Sequence, residues 1–359
     1  MPLWLQSHRL SLLTAVCIAL LYGLPNIFFI ISLGESYHGI PLLQTPNEAS
    51  YLARIQEVID GHEALGSPFF FEYKNEPPLS PPAGEWLYAL PAALFHLSPV
   101  AILIASKFIL PPLLFLLVYA LLLRLMGGSD PLQKVAAIAG GLLVVLGYDL
   151  VDYRTVFSYL RGIDAPGAFL LWARPVNPIL GGIALFSFLL LVERLFTRTA
   201  RPTRAIFFAS LALAFMFGSY FFSWGVTLSV LAMLLCLTLL KKEWRIAGTL
   251  ALIIPGGFFL AAPYWYLVWT SSHHPLYAMA TLRSGLFQTH EPLLNKLVLA
   301  ALALYIGTVC IDAWLKRRCN TNSTVAVTEA WRFKIENWHL YSLALLLGSL
   351  WVYTEQIVT

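Results

Sequence analysis

The first long apolar stretch, LSLLTAVCIALLYGLPNIFFIISL, occupies residues 10–33 and decides the fold class. It carries no charged residue and is longer than the about 20 residues that an α-helix needs to cross the hydrocarbon core of a bilayer. It also exceeds the apolar core of a secretory signal peptide, and no clear small-residue cleavage site follows it. The stretch therefore predicts an uncleaved membrane anchor.

The composition extends this conclusion to the whole chain of 359 residues. Hydrophobic residues make up 58% and charged residues only 12%, and the mean hydropathy is +0.72. So few charged residues could not cover a water-soluble protein of this length, whereas helices that face lipid need few. The composition excludes a disordered chain, a disulfide-rich secreted domain and a nucleic-acid-binding protein.

The apolar runs predict an all-α, polytopic transmembrane bundle that forms a single domain over residues 1–359, with about nine spans. The chain ends soon after the last run and has no polar tail, so we expect it to be a fragment of a longer protein. The predicted spans are Leu10–Leu33, Val100–Leu123, Val135–Leu150, Ile179–Phe196, Ala205–Phe222, Val226–Leu240, Ile246–Trp269, Leu297–Leu315 and Leu340–Val352.

The distribution of lysine and arginine predicts the orientation. Fifteen of the 23 fall in segments on the side of the N-terminus and six fall on the opposite side. Cytoplasmic loops are enriched in positive charge, so the N-terminus is predicted to be cytoplasmic. We expect a multi-pass membrane protein whose first extracytoplasmic loop covers residues 34–99 and lies against the lipid bilayer.

The first outer loop contains the sequence TPNEASYLARIQEVIDGH at residues 45–62. Thr45 as N-cap, Glu48 three residues later and Gly61 as the stop predict an amphipathic helix over residues 46–61. Such a helix is too short to span a bilayer and suits the membrane surface.

Two polar residues of this helix have alternative roles. Glu48 either turns back to the Thr45 amide as part of a capping box or faces the protein as an acid or base. Arg54 either pairs with Glu57 or Asp60 on the helix surface or binds a ligand.

The order of short motifs in residues 46–87 resembles the C-type (GT-C fold) glycosyltransferases. The matching segments are PNEASY at 46–51, FFFEYK at 69–74, EPPL at 76–79 and EWL at 85–87, all after an opening span. This class, which includes the aminoarabinose and protein mannosyl transferases, takes sugars from polyprenyl-phosphate carriers. The resemblance implies a membrane glycosyltransferase that moves a sugar from such a donor to a lipid, glycan or protein acceptor at the extracytoplasmic face. With the size of the chain, it also makes a bacterial inner membrane the simplest host.

The resemblance also implies the site residues. Glu48 and Asn47 occupy the catalytic positions, and substrate-binding roles fall to Tyr51, Arg54, Lys74 and Glu76. The chain departs from the family at two of these. Asn47 replaces the acid that usually serves as base, and Glu76 replaces the lysine before the prolines, with Lys74 two residues earlier. An amide cannot accept a proton at neutral pH, so either Glu48 is the base, or the acceptor needs no strong base, or the protein is inactive.

A second outer loop, residues 151–177, holds three arginines against the positive-inside trend. Arg154, Arg161 and Arg174, with Asn177, are candidates to bind the donor phosphate, because a guanidinium can grip phosphate oxygens at two points. The alternative is internal pairing with Asp152 and Asp164.

A divalent cation is a possible cofactor, since Asp149 and Asp152 could hold one beside the phosphate. The spacing is not specific, and no residue is assigned as a metal ligand. Two other functions stay open: a catalytically inactive homologue that binds lipid-linked sugar, and a transporter or flippase for such a lipid.

Overall fold

A computed structural model describes most of the chain. The described residues are 7–45, 47–66, 71–76, 82–127, 130–147, 157–158, 161, 170–196, 202–275, 277, 290–292, 296–319, 339–349 and 354–356.

Regular structure in these ranges is helical apart from one short antiparallel pair of strands, β1 (His290–Pro292) and β2 (Thr354–Gln356). The predicted all-α class is therefore confirmed. The helices are α1 (Arg9–Leu33), α2 (Glu48–Ile59), α3 (Ala83–Phe95), α4 (Pro99–Leu125), α5 (Pro131–Leu146), α6 (Ile179–Phe196), α7 (Pro202–Phe217), α8 (Phe221–Leu240), α9 (Trp244–Leu260), α10 (Ala262–Ser272), α11 (Lys296–Cys319) and α12 (His339–Ser349).

Four of the described helices, α1, α4, α6 and α8, are long and apolar enough to cross a membrane. The pair α9 and α10 makes a fifth if the two count as one broken span, since they meet at a bend of 57°. The chain is thus compatible with an integral membrane protein. Four further apolar helical stretches are shorter: α5, α7, the part Val298–Ile311 of α11, and α12. The number of nine spans therefore stays a prediction.

Most predicted spans have somewhat different bounds in the structure; α8, for example, begins at Phe221 instead of Val226. Three of the spans end early or are broken. The span at Val135–Leu150 stops at Leu146 because Gly147, at φ +79°, ends the helix. The span at Ala205–Phe222 stops at Phe217, where a turn leads into α8. The continuous span at Ile246–Trp269 is two helices, and Pro263 in the first turn of α10 supplies the break, because proline cannot donate the backbone hydrogen bond that a continuous helix requires.

Two apolar clusters form the interior of the bundle. One is built around α6, α7, α8 and α9 and contains Phe188, Leu213 and Leu231. The other joins α1, α3, α4 and α5 and contains Tyr22, Tyr88 and Phe115. Helix α4 packs against both α1 and α6, and so links the two clusters. The short α2 lies against the second cluster, on α3 and α4.

The loop helix α2 is shorter than the predicted range 46–61. It starts at Glu48 because Asn47 has a left-handed backbone, φ 70°, which asparagine tolerates better than most residues. Thr45 is not the N-cap as predicted, since its hydroxyl donates to Glu48 instead of accepting a helix N–H. Gly61, at φ 93°, follows the helix end as expected for a glycine stop.

Candidate functional site

Helix α2 is held on the bundle by its apolar face. Ile55 is fully buried, and Tyr51, Val58 and Ile59 pack beside it against the cluster that contains Tyr88. These four residues form an apolar face, as an amphipathic helix requires. Its burial fixes the direction in which the polar residues of the same helix project.

Glu48 is fully engaged within the protein. Its Oε1 accepts hydrogen bonds from the backbone N–H groups of Gln44 (3.1 Å) and Thr45 (2.8 Å) and from the Thr45 hydroxyl (2.8 Å). Its Oε2 accepts from Nζ of Lys107 in α4 at 2.9 Å. The predicted return of Glu48 to the Thr45 amide is confirmed, and a buried ion pair is added to it. This carboxylate therefore anchors α2 to α4.

Arg54 forms an ion pair with a residue of another helix. Its Nε lies 2.5 Å from Oε1 of Glu85 in α3, and not beside Glu57 or Asp60. Glu85 is 1% exposed, and within the described ranges its second oxygen, Oε2, has no hydrogen-bond partner. A buried carboxylate oxygen without a donor is costly, so a proton donor from a ligand would be accepted there.

The start of α3 contacts the segment that leads into α6. A side chain on Gly84 would meet Val176 Cγ1 at 2.4 Å, so only glycine permits this approach. The Val176 N–H donates to the Tyr88 hydroxyl at 3.3 Å, and burial raises the pKa of Tyr88 to about 12. Helix α3 is thereby fixed against residues 174–178.

The turn between α7 and α8 completes this junction. The Ala83 N–H donates to the Gly218 carbonyl at 3.0 Å, and Nδ2 of Asn177 donates to the Ser219 carbonyl at 3.2 Å. The Ser219 hydroxyl and Oδ1 of Asn177 are buried and have no hydrogen-bond partner among the described residues. The start of α3, residues 174–178 and the turn between α7 and α8 thus meet at one junction. Each carries a buried polar atom without a hydrogen-bond partner among the described residues.

Tyr51 is the common neighbour of the charged groups at this junction. Burial raises the pKa of its hydroxyl, and the positive charge of Arg174 opposes that rise, with further influences from Glu85 and Arg54. Burial likewise raises the pKa of Tyr220, and Arg174 again opposes it. Arg174 therefore lies close to both phenol groups.

Arg174 is half-buried, and a hydrogen bond to the backbone orients its side chain. Its Nε donates to the Asn177 carbonyl at 2.5 Å. Within the part of the chain that the structure describes, Arg174 forms no ion pair with a carboxylate. Its terminal nitrogen atoms are thus available to an anionic ligand. We call the whole group the α2–α3 site: Tyr51, Arg54, Glu85, Arg174, Asn177 and Ser219.

Two predicted site residues belong to other contacts. Lys74 pairs with Glu57, the Nζ to Oε1 distance being 2.8 Å, and Glu76 lies 3.1 Å from Nε2 of His274. The described contacts of Lys74 and Glu76 thus do not connect them to the α2–α3 site. Asn47 is exposed, and its side chain makes no capping hydrogen bond.

The second outer loop is described only in part. Arg161 is exposed in a turn closed by its N–H to the Phe157 and Ser158 carbonyls. Arg154 lies outside the described residues, and so do Asp152 and Asp164.

Asp149 and Asp152, the residues that could hold a cation, also lie outside the described residues. Within the described ranges, no group of three or more His, Cys, Asp or Glu side chains could hold a metal ion.

Comparison with models of protein families, with curated proteins and with solved structures gives no match for this chain. The functional argument therefore depends on the site and on the motifs of the first outer loop.

Three residues of the α2–α3 site and of the ion pair at Glu48 had no role assigned from the sequence. Glu85 stood inside a quoted motif without a role, and Ser219 fell inside a predicted span. Of the three, Lys107 could have been recognised from the sequence, because a lone cation in an apolar helix requires a buried counter-charge.

Proposed function

We propose that the protein is a membrane glycosyltransferase that moves a sugar from a polyprenyl-phosphate-linked donor to an acceptor at the extracytoplasmic face. The observation that best supports this is the setting of the Tyr51 hydroxyl, close to two arginines and a buried carboxylate at the edge of an apolar bundle. Such a site offers cations for a phosphate, a carboxylate for a hydroxyl nucleophile and a lipid-facing surface for the carrier chain.

The arginines suit the donor phosphate. Arg174 has terminal N–H groups free of any carboxylate in the described structure, and Arg54 is 17% exposed beside Glu85. A guanidinium can donate two parallel hydrogen bonds to phosphate oxygens, and its charge offsets the negative charge that develops as the phosphate departs. Arg174 is therefore the proposed principal phosphate ligand.

Glu85 is the carboxylate that the geometry favours for acceptor activation. In the proposed step, the acceptor oxygen bonds to the anomeric carbon of the sugar while the bond from that carbon to the phosphate oxygen breaks. The polyprenyl phosphate leaves with the bonding electron pair. The acceptor proton passes to Oε2 of Glu85, the oxygen without a partner among the described residues.

The prediction that Glu48 is the base stays a prediction, but its contacts favour a different role. Both of its oxygens already accept hydrogen bonds, one of them from the buried Lys107. Taking a proton would break an ion pair whose side chains are at most 1% exposed. We propose that Glu48 positions α2 while Glu85 acts on the acceptor.

The proposed setting includes the details of topology predicted from the sequence. These are nine spans, a cytoplasmic N-terminus and a bacterial inner membrane. A polyprenyl chain keeps its phosphate at the membrane surface, and α2 is the kind of short amphipathic helix that lies there.

One observation supports a second candidate, a non-catalytic protein that binds lipid-linked sugar. Asn47, at the position of the family's acid, has the left-handed backbone that asparagine accommodates, and its exposed amide cannot act as a base. In that case the arginines would bind the donor and no sugar would be transferred.

Reconstitution of the full chain in proteoliposomes tests both candidates. The probes are radiolabelled sugars, each linked to a polyprenyl phosphate, supplied with a bacterial membrane extract as acceptor source. A glycosyltransferase releases polyprenyl phosphate and labels the extract, and Arg174→Ala abolishes both. Binding without release favours the second candidate, and no binding of any member of the panel contradicts both.

A further inference from the structure

A cavity of about 480 Å³ opens at the end of the bundle opposite the α2–α3 site. It lies between the last turn of α6, the start of α7 and the connection from α8 to α9. Arg174 precedes the first residue of α6 by five positions, and Arg194 lies in its last turn. Since an 18-residue helix is about 27 Å long, the cavity and the α2–α3 site are separate.

The cavity is lined by more positive than negative charge. Among the described residues of the lining, Arg194, Lys242 and Arg245 contribute cations and Glu243 contributes a carboxylate. Lys242 and Arg245 are exposed and form no ion pair within the described structure. Unpaired cations around a concavity attract an anion more strongly than the same charges spread over a convex surface, because the field is focused there.

The backbone adds to this positive potential. Helix α9 begins at Trp244 on the wall of the cavity, and no acidic residue lies in its first turn. Its N-cap residue is Glu243, whose side chain makes no capping hydrogen bond to the helix N–H groups. A helix N-terminus has a partial positive charge and donates these N–H groups to anions such as phosphate.

Apolar side chains are exposed beside the same opening. Trp244, which also lines the cavity, is 68% exposed, and Leu240 at the end of α8 is 80% exposed. Tryptophan is enriched where a membrane meets water, and an exposed leucine next to it offers contact to a hydrocarbon chain. The surface thus combines a cationic concavity with an apolar rim.

We propose that this cavity binds a phosphate group, and that the group belongs to an anionic phospholipid whose acyl chains lie along Trp244 and Leu240. Basic pockets between membrane helices recognise lipid headgroups in this way. The site is distinct from the donor site and does not depend on the proposed glycosyltransferase activity.

The test measures the thermal unfolding of the purified full chain in a neutral detergent as short-chain phosphatidylglycerol is added. A ligand that binds the folded state raises the unfolding midpoint, and at a given concentration it does so more the more tightly it binds. We expect phosphatidylglycerol to raise the midpoint and phosphatidylcholine to have a much smaller effect. In Lys242→Gln/Arg245→Gln the apparent affinity should fall about tenfold or more, as expected for the loss of charge-assisted hydrogen bonds.

Lys241→Gln is the matched control. Lys241 is the exposed neighbour that ends α8 without lining the cavity. Its loss removes one positive charge, as Arg245→Gln alone does, and should leave the affinity unchanged. Arg245→Gln alone provides a second variant should the double variant fail to fold. An equal response of the wild type and both cavity variants would overturn the site.

Inorganic phosphate separates the two sources of the ligand. If phosphate without lipid raises the midpoint as much as phosphatidylglycerol does, and Lys242→Gln/Arg245→Gln removes that effect, the cavity binds a free anion and the lipid assignment is wrong. Weak or absent protection by phosphate, together with strong protection by the lipid, supports the proposal.

Discussion

Nζ of Lys107 lies 2.9 Å from Oε2 of Glu48, and the two side chains are 1% and 0% exposed. The pair joins a helix of the first outer loop to the interior of a long apolar helix. Removing two charges from water is unfavourable, and here the ion pair and three further hydrogen bonds to Glu48 offset that cost. The position of α2 therefore depends on this contact as well as on the burial of Ile55.

Breaking the pair from one side should destabilise the protein. Lys107→Met leaves Glu48 buried without its counter-charge, and we expect the free energy of unfolding to fall by about 3–5 kcal/mol. Glu48→Gln combined with Lys107→Met removes both charges and should recover most of that loss. Thermal unfolding in detergent measures both variants, and equal losses in the single and double variants would show that the pair is not the cause.

Glutamine substitutions separate the roles of the two buried carboxylates. Glu85→Gln should lower the rate of sugar transfer by a factor on the order of 10²–10⁴, the usual contribution of a general base, while polyprenyl phosphate still binds. Glu48→Gln should lower thermal stability and retain transfer. A folded Glu48→Gln protein without activity, beside an active Glu85→Gln protein, would return the base role to Glu48.

The two-point contact that the Arg174 guanidinium can make should contribute more to phosphate binding than its charge alone. Arg174→Lys keeps the positive charge but replaces a two-point contact by a single ammonium, so polyprenyl phosphate should bind about 10 to 100 times more weakly. Isothermal titration in detergent provides the measurement. Arg161→Lys is the comparison, because Arg161 is exposed and has no described contact with the site, and its affinity should match the wild type.

His8 should make stability sensitive to acid. Burial, and then the positive charge of Lys134, lower the pKa of His8 below its ordinary value of 6.5. Neutral His8 thus contributes stability that is fully present above pH 6.5 and is lost as the pH falls through the lower, folded-state pKa. The unfolding midpoint should drop between pH 7.5 and pH 5, and less so in His8→Gln. An equal drop in both proteins would assign the effect to other groups.

Cysteine labelling tests the orientation. In a background without the native cysteines, Glu72→Cys should react with an impermeant thiol reagent added to whole cells, because the positive-inside rule places the first loop outside. Lys241→Cys should react only after the membrane is broken. Both positions are exposed in the structure. The opposite pattern of labelling would reverse the orientation and place the α2–α3 site inside the cell.

The long helices could be read from the sequence because continuous apolar runs leave little freedom in where they begin and end. The run at Ile179–Phe196 is the helix α6 itself, and the run at Leu10–Leu33 differs from α1 by one residue. Breaks within apolar sequence were harder to predict. Gly218 and Ser219 are small enough to fit a membrane helix, so the turn that contributes Ser219 to the site was taken as part of a span.

The site itself was predictable only in pieces. Tyr51, Arg54, Arg174 and Asn177 were named as candidates from their motif and loop positions, and their roles in binding a substrate stay predictions. Their partner Glu85 lies 31 residues from Arg54, and no spacing rule connects two residues across separate helices. Helix periodicity fixes which residues share a face, whereas contacts between helices depend on tertiary packing.

The link between Glu48 and Lys107 spans 59 residues of chain, and this constrains how the protein is made. At a synthesis rate of 5–20 residues per second, Lys107 is added on the order of 3–12 s after Glu48. During that interval α2 has been translated but has no counter-charge to dock on, so the contact that fixes it on the bundle cannot form. The placement of α2 therefore follows the synthesis of α4 and is later than its position in the sequence suggests.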